Sequence, residues 1–553
     1  VQWALTLHAS HRSKLSGELP VKSECLPFSQ IPHTTPLFAD FLSGHAKVQQ
    51  FYPRSPYFNQ WMKDEAAAIR YDPARRERVA TILLRQNQAW GAASKTLENI
   101  RRLRAGAAAA VTGQQVGLFG GPLFSIFKAL TAVKLADLAS QNGVDCVPVF
   151  WLATEDHDLE EVSHVALPGN DGSVRTITAG THGLAHAPVE NIALGDEIKS
   201  AVEAAAALLG ESEAVSSLRA CYQPGETLGT AFARLFTQWF AEWGVILLDA
   251  SDPELHRVAE PIYRAALERS GELETALLAR GRELEAAGYH QQVKITASSS
   301  LLFTTQRGAR TPIHRRGNDF IIDQDTISSA QLVARLAAAP QEFSGNVLLR
   351  PVVQDYLLPT LAYTGGSAEV AYFAQSAVVY QALLGRVTPV VPRFSATLIE
   401  PKPKMLLERY GLAFTDLLGP EPVREKLAAH ALSKDLQSAF ERAQASTKDA
   451  LSAIRKGLES LDKTLVDAAN NAESKMLHQI ESLQARAARA ELLQSEILDR
   501  KAAFLSNMLY PNKVLQEREI AGVYFLARYG YDLLRGIYDA IHPDCVDHQL
   551  IFL

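Results

Sequence analysis

Residues 107–121 read AAAAVTGQQVGLFGG, and the pattern that begins here is the clearest fold signal in the chain. The apolar run at 107–112 predicts a short buried strand that leads directly into a glycine-bearing turn. After the turn, residues 123–139 carry apolar side chains at helical spacing, and residues 147–153 predict a second buried strand. Strand, glycine-rich turn, helix and strand form a βαβ unit, whose strands should be parallel and whose connection should be right-handed.

Further segments of the same kind follow along the chain. We predict strands at 243–249 and 346–353, although Pro351 places the end of the second one at an edge or a turn. Residues 359–364 predict a strand that runs into a helical segment, and residues 387–392 predict a last strand. Strands that alternate with helices favour an α/β fold with a doubly wound parallel sheet as its core.

The other segments divide the chain around this core. Residues 168–189 predict loops or small hairpins, whereas residues 196–220 and 254–288 predict helices. We therefore expect the core to consist of residues 1–167 and 341–420, with residues 168–340 as insertions interleaved with the core strand at 243–249. Residues 421–510 are expected to form a coiled coil, and residues 511–553 a C-terminal segment that packs back on the core.

A coiled coil is predicted between Pro422 and Pro511, where Gly457 is the one glycine and no proline occurs. Apolar or small side chains recur at intervals of three and four residues, at Leu451, Ile454, Leu458, Leu461, Leu465 and Ala468, and again at Met476, Ile480, Leu483, Ala487 and Ala490. This heptad pattern, with Asn470-Asn471 as a hairpin tip, predicts two antiparallel helices of about 35–40 residues each. The apolar seam can be buried within the hairpin or between two chains, and the pattern leaves both alternatives open.

Composition excludes several classes of protein. The 55 basic and 61 acidic side chains give a net charge of −6, without the basic excess typical of nucleic-acid binding. The cysteines form no CxxC pair, so no thiolate metal site is predicted and a reducing compartment is favoured. Residues 1–16 lack the apolar run of a signal peptide, and no stretch of 18 apolar residues occurs. We expect a cytoplasmic protein that binds neither membrane nor nucleic acid.

The glycine-bearing turn is the first candidate site, because open α/β sheets bind ligands beyond the carboxyl ends of their strands. Gly113 and Gly117 would let the backbone approach an anion closely, and the amides of Gln114 and Gln115 offer donors and acceptors. The segment matches neither GxGxxG nor a Walker A loop. A purely structural turn between strand and helix is the alternative.

The second candidate is the segment 154–164, TEDHDLEEVSH, which directly follows the second predicted strand. If a helix begins near Asp156, the carboxylates suit the helix dipole, and capping is the simpler interpretation. The functional hypothesis is that His157, flanked by Asp156 and Asp158, acts as a general base or polarises an activated acyl group.

A metal site is a further alternative for this segment. His157 and Glu161, or Glu161 and His164, have the spacing that would let both side chains face one ion on a helix. Two ligands do not define a metal site, so we predict no metal from the sequence.

Two weaker clusters lie further along the chain. Gly365 and Gly366 at a strand end, with Arg393 after the next strand, could hold a carboxylate or phosphate, and plain helix capping explains the glycines about as well. The segment 507–518 suits either a nucleotide pocket or an ordinary packed corner, and the corner is narrowly favoured.

Longer motifs carry a resemblance to a known family. Residues 111–130, VTGQQVGLFGGPLFSIFKAL, resemble the TGQQxGLxxGPLxxxxKAL signature of the bacillithiol cysteine ligase (BshC) family, and residues 147–162 resemble its VPVFWxATEDHDxxEV signature. Shorter matches occur at Arg350-Pro351, Gln354-Asp355-Tyr356, Gly365-Gly366, Glu369–Tyr372, Val391-Pro392-Arg393, Tyr510-Pro511-Asn512 and Leu515–Arg518. The likeness covers nearly the whole chain in the right order.

The resemblance implies a Rossmann-like core with two connecting-peptide insertions and a coiled coil that mediates dimerisation. It also implies the last step of bacillithiol biosynthesis, in which cysteine is joined to glucosaminyl malate. Because an amide does not form from a free carboxylate without activation, ATP is the expected energy source, and ATP or ADP is the expected bound nucleotide. The resemblance adds a nucleotide site associated with the coiled-coil region.

We combine these expectations in one hypothesis. The predicted catalytic residues are His157, Asp156, Asp158 and Glu155. The predicted substrate-binding residues are Gly113, Gln114, Gln115, Gly117, Thr154, Gly365, Gly366 and Arg393. The predicted nucleotide-binding residues are Asn507, Tyr510, Lys513 and Gln516. The alternatives are a nucleotidyl or phosphoryl transferase of another small-molecule pathway and a non-catalytic coiled-coil scaffold. The hypothesis requires Gln114 and His157 to line one cleft.

Overall fold

The computed structural model describes residues 22–180, 187–306, 308–429, 434–462, 464–493 and 496–553. The segment 1–16, which is predicted to lack the apolar run of a signal peptide, lies outside the described residues. The chain forms two compact units. The first contains the described residues up to Leu167, Arg175–Thr397 and Glu517–Ile551, and the second contains Pro168–Val174, Leu398–Gln516 and Phe552–Leu553.

A parallel sheet forms the centre of the first unit. In the described part of the chain it has five strands, in the spatial order Val390–Pro392, Thr360–Gly365, Ala108–Gln114, Cys146–Leu152 and Ile246–Asp249. All seven residues of Cys146–Leu152 are buried, as expected for a strand that is covered on both faces. The predicted α/β fold with a doubly wound parallel sheet is confirmed.

The order of the strands reverses once along the chain. The chain starts at the centre with Ala108–Gln114 and moves outward through Cys146–Leu152 to Ile246–Asp249. It then returns to the other side of the first strand, where Thr360–Gly365 and Val390–Pro392 are added. The reversal lies between Ala108–Gln114 and Thr360–Gly365, and a crevice opens at the carboxyl edge of a sheet at such a switch point.

Two buried helices follow the two strands at the reversal. Phe124–Gln141 comes after Ala108–Gln114, and Ser367–Leu384 comes after Thr360–Gly365. Both sequences are apolar around most of the helix, which is typical of a helix that is covered on all sides. Lys128, in the second turn of the first helix, is an exception because its charged side chain is only 3% exposed.

The remaining strands and helices belong wholly or in part to the first unit. An antiparallel sheet has the order Asp325–Ser328, Asp319–Ile322, Ala309–Arg316, Ser299–Gln306 and Phe343–Gly345. Other strands are Lys22–Leu26, His164–Pro168, Val174–Thr178, Ala396–Ile399 and His548–Phe552. Further helices are Pro36–Leu42, Ala46–Gln49, Met62–Ala68, Pro73–Ala89, Ser94–Ala105, Leu159–Val162, Leu228–Trp239, Ser329–Ala338, Gln516–Glu519, Gly522–Tyr529 and Asp532–Ala540.

The helices predicted in the insertions are confirmed. The first predicted region contains Glu197–Leu209 and Glu213–Cys221, and the second contains Pro253–Glu268 and Ser270–Ala286. No helix among the described residues is both long enough and apolar enough to cross a bilayer.

The predicted strand at 346–353 is wrong. The chain forms the helix Arg350–Leu357 there, with Pro351 in its first turn. Asn346 stabilises the turn that precedes this helix, because its Oδ1 accepts hydrogen bonds from the backbone N–H groups of Leu348 at 3.0 Å and Leu349 at 3.1 Å. Proline is well tolerated in the first turn of a helix, where its missing N–H is not needed.

The second unit contains the predicted helical hairpin. Arg455 Nη1 donates to Asn470 Oδ1 at 2.8 Å, so the helices Lys434–Glu459 and Thr464–Leu493 run antiparallel. Their lengths are 26 and 30 residues, shorter than predicted. The other helices of this unit are Pro401–Arg409, Phe414–Leu418, Val423–Ala429 and Glu496–Leu509.

The predicted position of the hairpin tip is also wrong. Asn470-Asn471 lie inside the second long helix, and the turn comes after Glu459. Asp462 stabilises the restart of the helix, since its Oδ1 accepts from the backbone N–H of Thr464 at 2.9 Å. An aspartate that caps a helix explains the turn better than the two asparagines do.

Candidate functional site

A cavity of about 500 Å³ opens at the carboxyl edge of the parallel sheet, at the point where the strand order reverses. Gly113, Gln114 and Gln115 line it from the first strand, Asp156 lines it after the second, and Gly366 lines it after Thr360–Gly365. Its volume lies within the range of small-molecule sites, about 300–1,000 Å³. The cavity is therefore the candidate active site.

The lining of the cavity is rich in charge. Four cationic side chains line it, Lys128, Arg350, Arg393 and Arg518. Three carboxylates also line it, Asp156, Glu161 and Glu369. The lining therefore has one cation more than it has carboxylates, and its arginines offer hydrogen-bond donors to an anionic ligand.

Lys128 holds the glycine-bearing turn in place. Its Nζ donates to Gly113 O and to Gln114 Oε1, both at 2.8 Å, and lies 2.7 Å from Glu369 Oε2. Burial lowers the pKa of the Lys128 ammonium, and the charge of Glu369 opposes that effect. Glu369 also accepts from the backbone N–H of Gly366 at 2.7 Å. The ion pair therefore fixes both glycine-bearing strand ends of the cavity.

Arg393 is held by a carboxylate from the C-terminal segment. Its Nη2 lies 2.6 Å from Glu517 Oε1, which also accepts from Ser395 Oγ at 2.9 Å. Burial acts to raise the pKa of Glu517, but Arg393 outweighs it and lowers the pKa. Arg393 lies beside Gly366, where an added Cβ would be 3.4 Å from its Nε. The charge of Arg393 is thus largely compensated within the protein.

Arg518 is less well compensated than Arg393, whereas burial acts to lower the pKa of Arg350 but Asp156 and Glu155 outweigh it and raise the pKa. Burial and the neighbouring charge of Arg393 lower the pKa of Arg518, and its Nη2 donates to Ser367 Oγ at 3.3 Å. Arg350 Nη2 is 3.5 Å from Asp156 Oδ2, and its buried Nε has no hydrogen-bond partner among the described residues. A buried donor without a partner needs an explanation, and an anionic ligand would supply one.

Asp156 lies between two arginines at the wall of the cavity. Arg310 Nη1 is 3.5 Å from its Oδ1, Arg350 Nη2 is equally far from its Oδ2, and Gln115 Nε2 donates to Oδ2 at 3.4 Å. Burial acts to raise the pKa of Asp156, but Arg350 and Arg310 outweigh it and lower the pKa. Asp156 therefore stays charged and orients the arginines, which makes it a weak base.

His157 lies one residue beyond the cavity wall. The part of the lining that the structure describes includes Asp156 but not His157. The Nδ1 of His157 is 3.3 Å from Arg310 Nη1, and a guanidinium can only donate, so Nδ1 accepts and is occupied. The two predicted loops do lie side by side, since Ala153 N donates to Gln114 O at 3.0 Å.

Three other predicted residues of the acidic segment have structural partners. Thr154 donates through Oγ1 to Asp249, and Glu155 is buried with an oxygen 3.2 Å from His256 Nε2. Asp158 caps the helix Leu159–Val162 by accepting from the backbone N–H of Glu161 at 3.1 Å. In the described ranges, no three His, Cys, Asp or Glu side chains converge as a set that could hold a metal ion.

Two of the predicted glycines are required by packing. A Cβ at Gly117 would lie 2.9 Å from the Cα of Gly121, and a Cβ at Gly365 would lie 2.7 Å from the Cβ of Glu369. Contacts under 3.0 Å force the neighbouring atoms to move. These glycines therefore let the turn and the helix start close tightly, and the ligand-facing glycines are Gly113 and Gly366.

The four predicted nucleotide-binding residues belong to the second unit. Gln516 is fully buried, and its Nε2 donates to Leu398 O and Met508 O at 2.9 and 2.7 Å. Asn507 Nδ2 donates to Gly172 O at 3.0 Å, and the ring of Tyr510 is buried. Lys513 is exposed. These contacts give Asn507 and Gln516 structural roles, and their role in nucleotide binding stays a prediction.

Lys128, Arg350 and Arg518 line the cavity but are not among the substrate-binding residues predicted from the sequence. A signal for Lys128 was present, because a single lysine in an otherwise apolar helix is costly to bury without a partner. Arg350 and Arg518 come from segments about 170 residues apart, and periodicity cannot predict that such segments meet. The helix start at Arg350 was also hidden by the wrong strand prediction.

Comparisons with known proteins agree with this architecture. Residues 21–394 match the model "Bacillithiol biosynthesis BshC, N-terminal Rossmann-like domain", and residues 396–553 match "Bacillithiol biosynthesis BshC, C-terminal coiled-coil domain".

Curated relatives carry the name "Putative cysteine ligase BshC". The protein from Koribacter versatilis is 49% identical over 529 residues, covering 96% of this chain and 99% of the relative. The proteins from Solibacter usitatus and Salinibacter ruber are 37% and 34% identical, each covering 95% of this chain and 99% of the relative. The chain therefore belongs to the BshC family of bacillithiol biosynthesis and is an enzyme of the ligase class.

Proposed function

We propose that this enzyme joins cysteine to glucosaminyl malate, and that the cavity at the strand reversal binds the malate part. Malate linked to a sugar keeps two carboxylates, and guanidinium groups bind carboxylates through paired hydrogen bonds. The observation that carries the proposal is the presence of two arginines in one cavity. The buried Nε of Arg350 has no hydrogen-bond partner among the described residues, and the charge of Arg518 is incompletely compensated. The name of the curated relatives, which specifies cysteine, supports the second substrate.

Glu161 is the best-placed proton acceptor in this proposal. The sugar amine must lose a proton before it attacks the carboxyl carbon of cysteine. Glu161 lines the cavity, and partial burial raises its pKa. A hydrogen bond from Gln115 opposes this increase, and the negative charges of Asp158 and Asp156 add to it. A base whose pKa is raised towards the working pH is more effective. His157, the acceptor expected from the sequence, instead orients Arg310 through its Nδ1.

ATP is the proposed energy source. The oxygen lost from the cysteine carboxylate must leave with a phosphoryl or adenylyl group, so that the amine displaces phosphate or AMP and forms the amide. The second unit contains a cavity of about 580 Å³ with Lys426 and Arg489 in its lining. Three carboxylates, Asp416, Glu421 and Glu425, line the same cavity. This balance does not favour a triphosphate without a divalent cation, so we assign no nucleotide site to it.

A homodimer through the coiled coil is part of the proposal. The heptad residues Ile454, Met476 and Leu483, on the two long helices, are between 50% and 60% exposed in the single chain, and Leu461, in the turn between the helices, is 77% exposed. Leu451 and Ala469, in contrast, are buried within the hairpin. An exposed apolar row on a long helix is typical of a surface that packs against another helix. A second copy of the same hairpin supplies a complementary apolar row.

Reconstitution of the reaction tests the proposed function. The full chain is incubated with glucosaminyl malate, cysteine and ATP, and the products are identified by mass spectrometry. We expect a product whose mass is the sum of the two substrates less one water, formed with one phosphate or pyrophosphate per product. Transfer of a phosphoryl or nucleotidyl group to glucosaminyl malate, without incorporation of cysteine, would favour a transferase instead. If the protein neither turns over nor binds these ligands, the alternative of a non-catalytic coiled-coil scaffold is favoured.

A further inference from the structure

Two cysteines that are distant in sequence lie in contact in the structure. The Sγ atoms of Cys25 and Cys545 are 2.8 Å apart, although 520 positions separate them. Both are free thiols, Cys25 exposed and Cys545 partly exposed, whereas Cys146 and Cys221 are buried. Only the fold brings the pair together, which is why the sequence shows scattered cysteines.

The surrounding backbone keeps the two thiols together. Cys25 lies in the strand Lys22–Leu26, which is the sheet neighbour of His548–Phe552. Cys545 is three residues before that second strand, and Phe28 N donates to Asp547 Oδ1 at 3.3 Å. A disulfide bond is about 2.05 Å long, so the two sulfurs need to approach by only about 0.8 Å.

We propose that Cys25 and Cys545 form a redox-responsive disulfide, open in the reduced protein and closed by a low-molecular-weight disulfide. The Cys25 thiolate attacks one sulfur of the small disulfide, forms a mixed disulfide and releases one small thiol. The Cys545 thiolate then attacks the Cys25 sulfur and releases the second small thiol. Two electrons pass from the protein thiols to the small disulfide, and the two protons end on the two released thiols.

The exposure of the two thiols sets the order of these steps. Cys25 is reachable from solvent and attacks first. Burial, with a contribution from Cys25, raises the pKa of the Cys545 thiol to about 11. Because the thiolate is the nucleophile, the second step is slow at neutral pH and accelerates as the pH rises.

Formation of the disulfide would restrain the strand His548–Phe552, which is connected to the cavity wall by hydrogen bonds. The imidazole of His548 bonds to Ser395 Oγ at 2.7 Å and to Thr397 Oγ1 at 2.9 Å. Ser395 donates to Glu517, and Glu517 holds Arg393 in the cavity wall. The disulfide would tie His548–Phe552, which carries His548, to the strand Lys22–Leu26. It would also restrict the unfolded chain over a very long loop.

The test compares the reduced full chain with the same protein after treatment with oxidised glutathione. We expect an intact mass lower by two hydrogen atoms, a linked peptide pair containing Cys25 and Cys545, and a melting midpoint raised by about 3–5 °C. Cys25→Ser and Cys545→Ser should each abolish all three changes. Cys221→Ser, which removes a buried thiol elsewhere, is the matched control and should retain them.

Several results would overturn the proposal. They are a wild-type protein that keeps both thiols after oxidation, glutathione that stays attached to Cys25 as the end product, or a disulfide that joins other cysteines or two chains. If the peptides show the Cys25–Cys545 bond but the melting midpoint is unchanged, the predicted stabilisation of the C-terminal strand by the disulfide is wrong. Peptide mapping of the wild type gives this answer even if a serine variant folds poorly.

Discussion

The ammonium of Lys128 lies 2.7 Å from the carboxylate of Glu369, and this ion pair joins the two helices that follow the strands on either side of the sheet reversal. The side chains are 4% and 15% exposed, so neither charge is well solvated. Because Lys128 also bonds to Gly113 O and Gln114 Oε1, the pair sets the shape of the cavity.

Removing one member of this pair should be much worse than removing both. Lys128→Met leaves the Glu369 carboxylate buried without its partner, and we expect a loss of about 3–5 kcal/mol in the free energy of unfolding. The double variant Lys128→Met/Glu369→Gln should recover part of that loss. Urea denaturation of the two single variants and the double variant measures the coupling. Strictly additive losses would show that the two side chains do not interact.

Glu190 should make stability depend on pH. Burial, reinforced by Glu155 and Asp249 and opposed by Ser251, raises the pKa of Glu190 to about 8. The folded state therefore holds this proton more tightly than the unfolded state does. The stabilising contribution is complete below about pH 4.5 and is lost as the pH rises through about 8.

Glu190→Gln keeps the shape of the protonated carboxyl and removes the titration. Relative to this variant, the wild type should lose roughly 2–5 kcal/mol of stability between pH 5 and pH 8. Urea midpoints at several pH values measure the difference, with Glu242→Gln, an exposed carboxylate, as control. Parallel pH profiles for wild type and Glu190→Gln would contradict the prediction.

Glu161 and His157 should affect the reaction differently. If Glu161 accepts the proton of the sugar amine, Glu161→Gln should lower kcat by about 10²–10⁴-fold and remove the acidic limb of the pH profile. His157→Ala should cost less and keep that limb, because His157 acts by orienting Arg310. Steady-state kinetics from pH 5 to pH 9 separate the two. Loss of the limb in His157→Ala but not in Glu161→Gln would make His157 the base.

The exposed apolar row of the coiled coil should determine the oligomeric state. Light scattering coupled to size exclusion should give the wild type twice the chain mass of 60.5 kDa. Ile454→Glu/Leu483→Glu places charges in the proposed interface and should yield the monomer, whereas Lys456→Glu on the exposed side of the same helix should not. A monomeric wild type would refute the proposed dimer.

The sequence predicted the parts of the fold that local patterns determine. The βαβ unit around Gly113 follows from an apolar run, a glycine-rich turn and helical spacing, and each signal lies within about forty residues. The prediction of a strand at 346–353 was wrong because an apolar run is also compatible with the start of a buried helix. The hydrogen bonds that Asn346 accepts favour the helix. The predicted hairpin tip is wrong because Asn470-Asn471 lie inside a helix, whereas Asp462 caps the helix that follows the actual turn.

The candidate site was predictable only in outline. Two neighbouring parallel strands have their carboxyl ends at one edge, so the glycine-bearing and acidic loops had to be close. Two adjacent residues differ in whether they face the cavity. Asp156 lines it, whereas the side chain of His157 contacts Arg310. Arg350 and Arg518 reach the cavity through contacts between distant segments, and a single sequence carries no signal of such contacts.

The binding of glucosaminyl malate, measured by isothermal titration calorimetry, tests the proposed role of the cavity most directly. We predict that Arg350→Ala and Arg518→Ala each weaken this binding by about 10–100-fold, the effect of losing one charged hydrogen-bond partner. Arg535→Ala, which removes an exposed arginine elsewhere, should bind as the wild type does. Equal affinity in the wild type and both cavity variants would contradict the assignment of the malate carboxylates to this cavity.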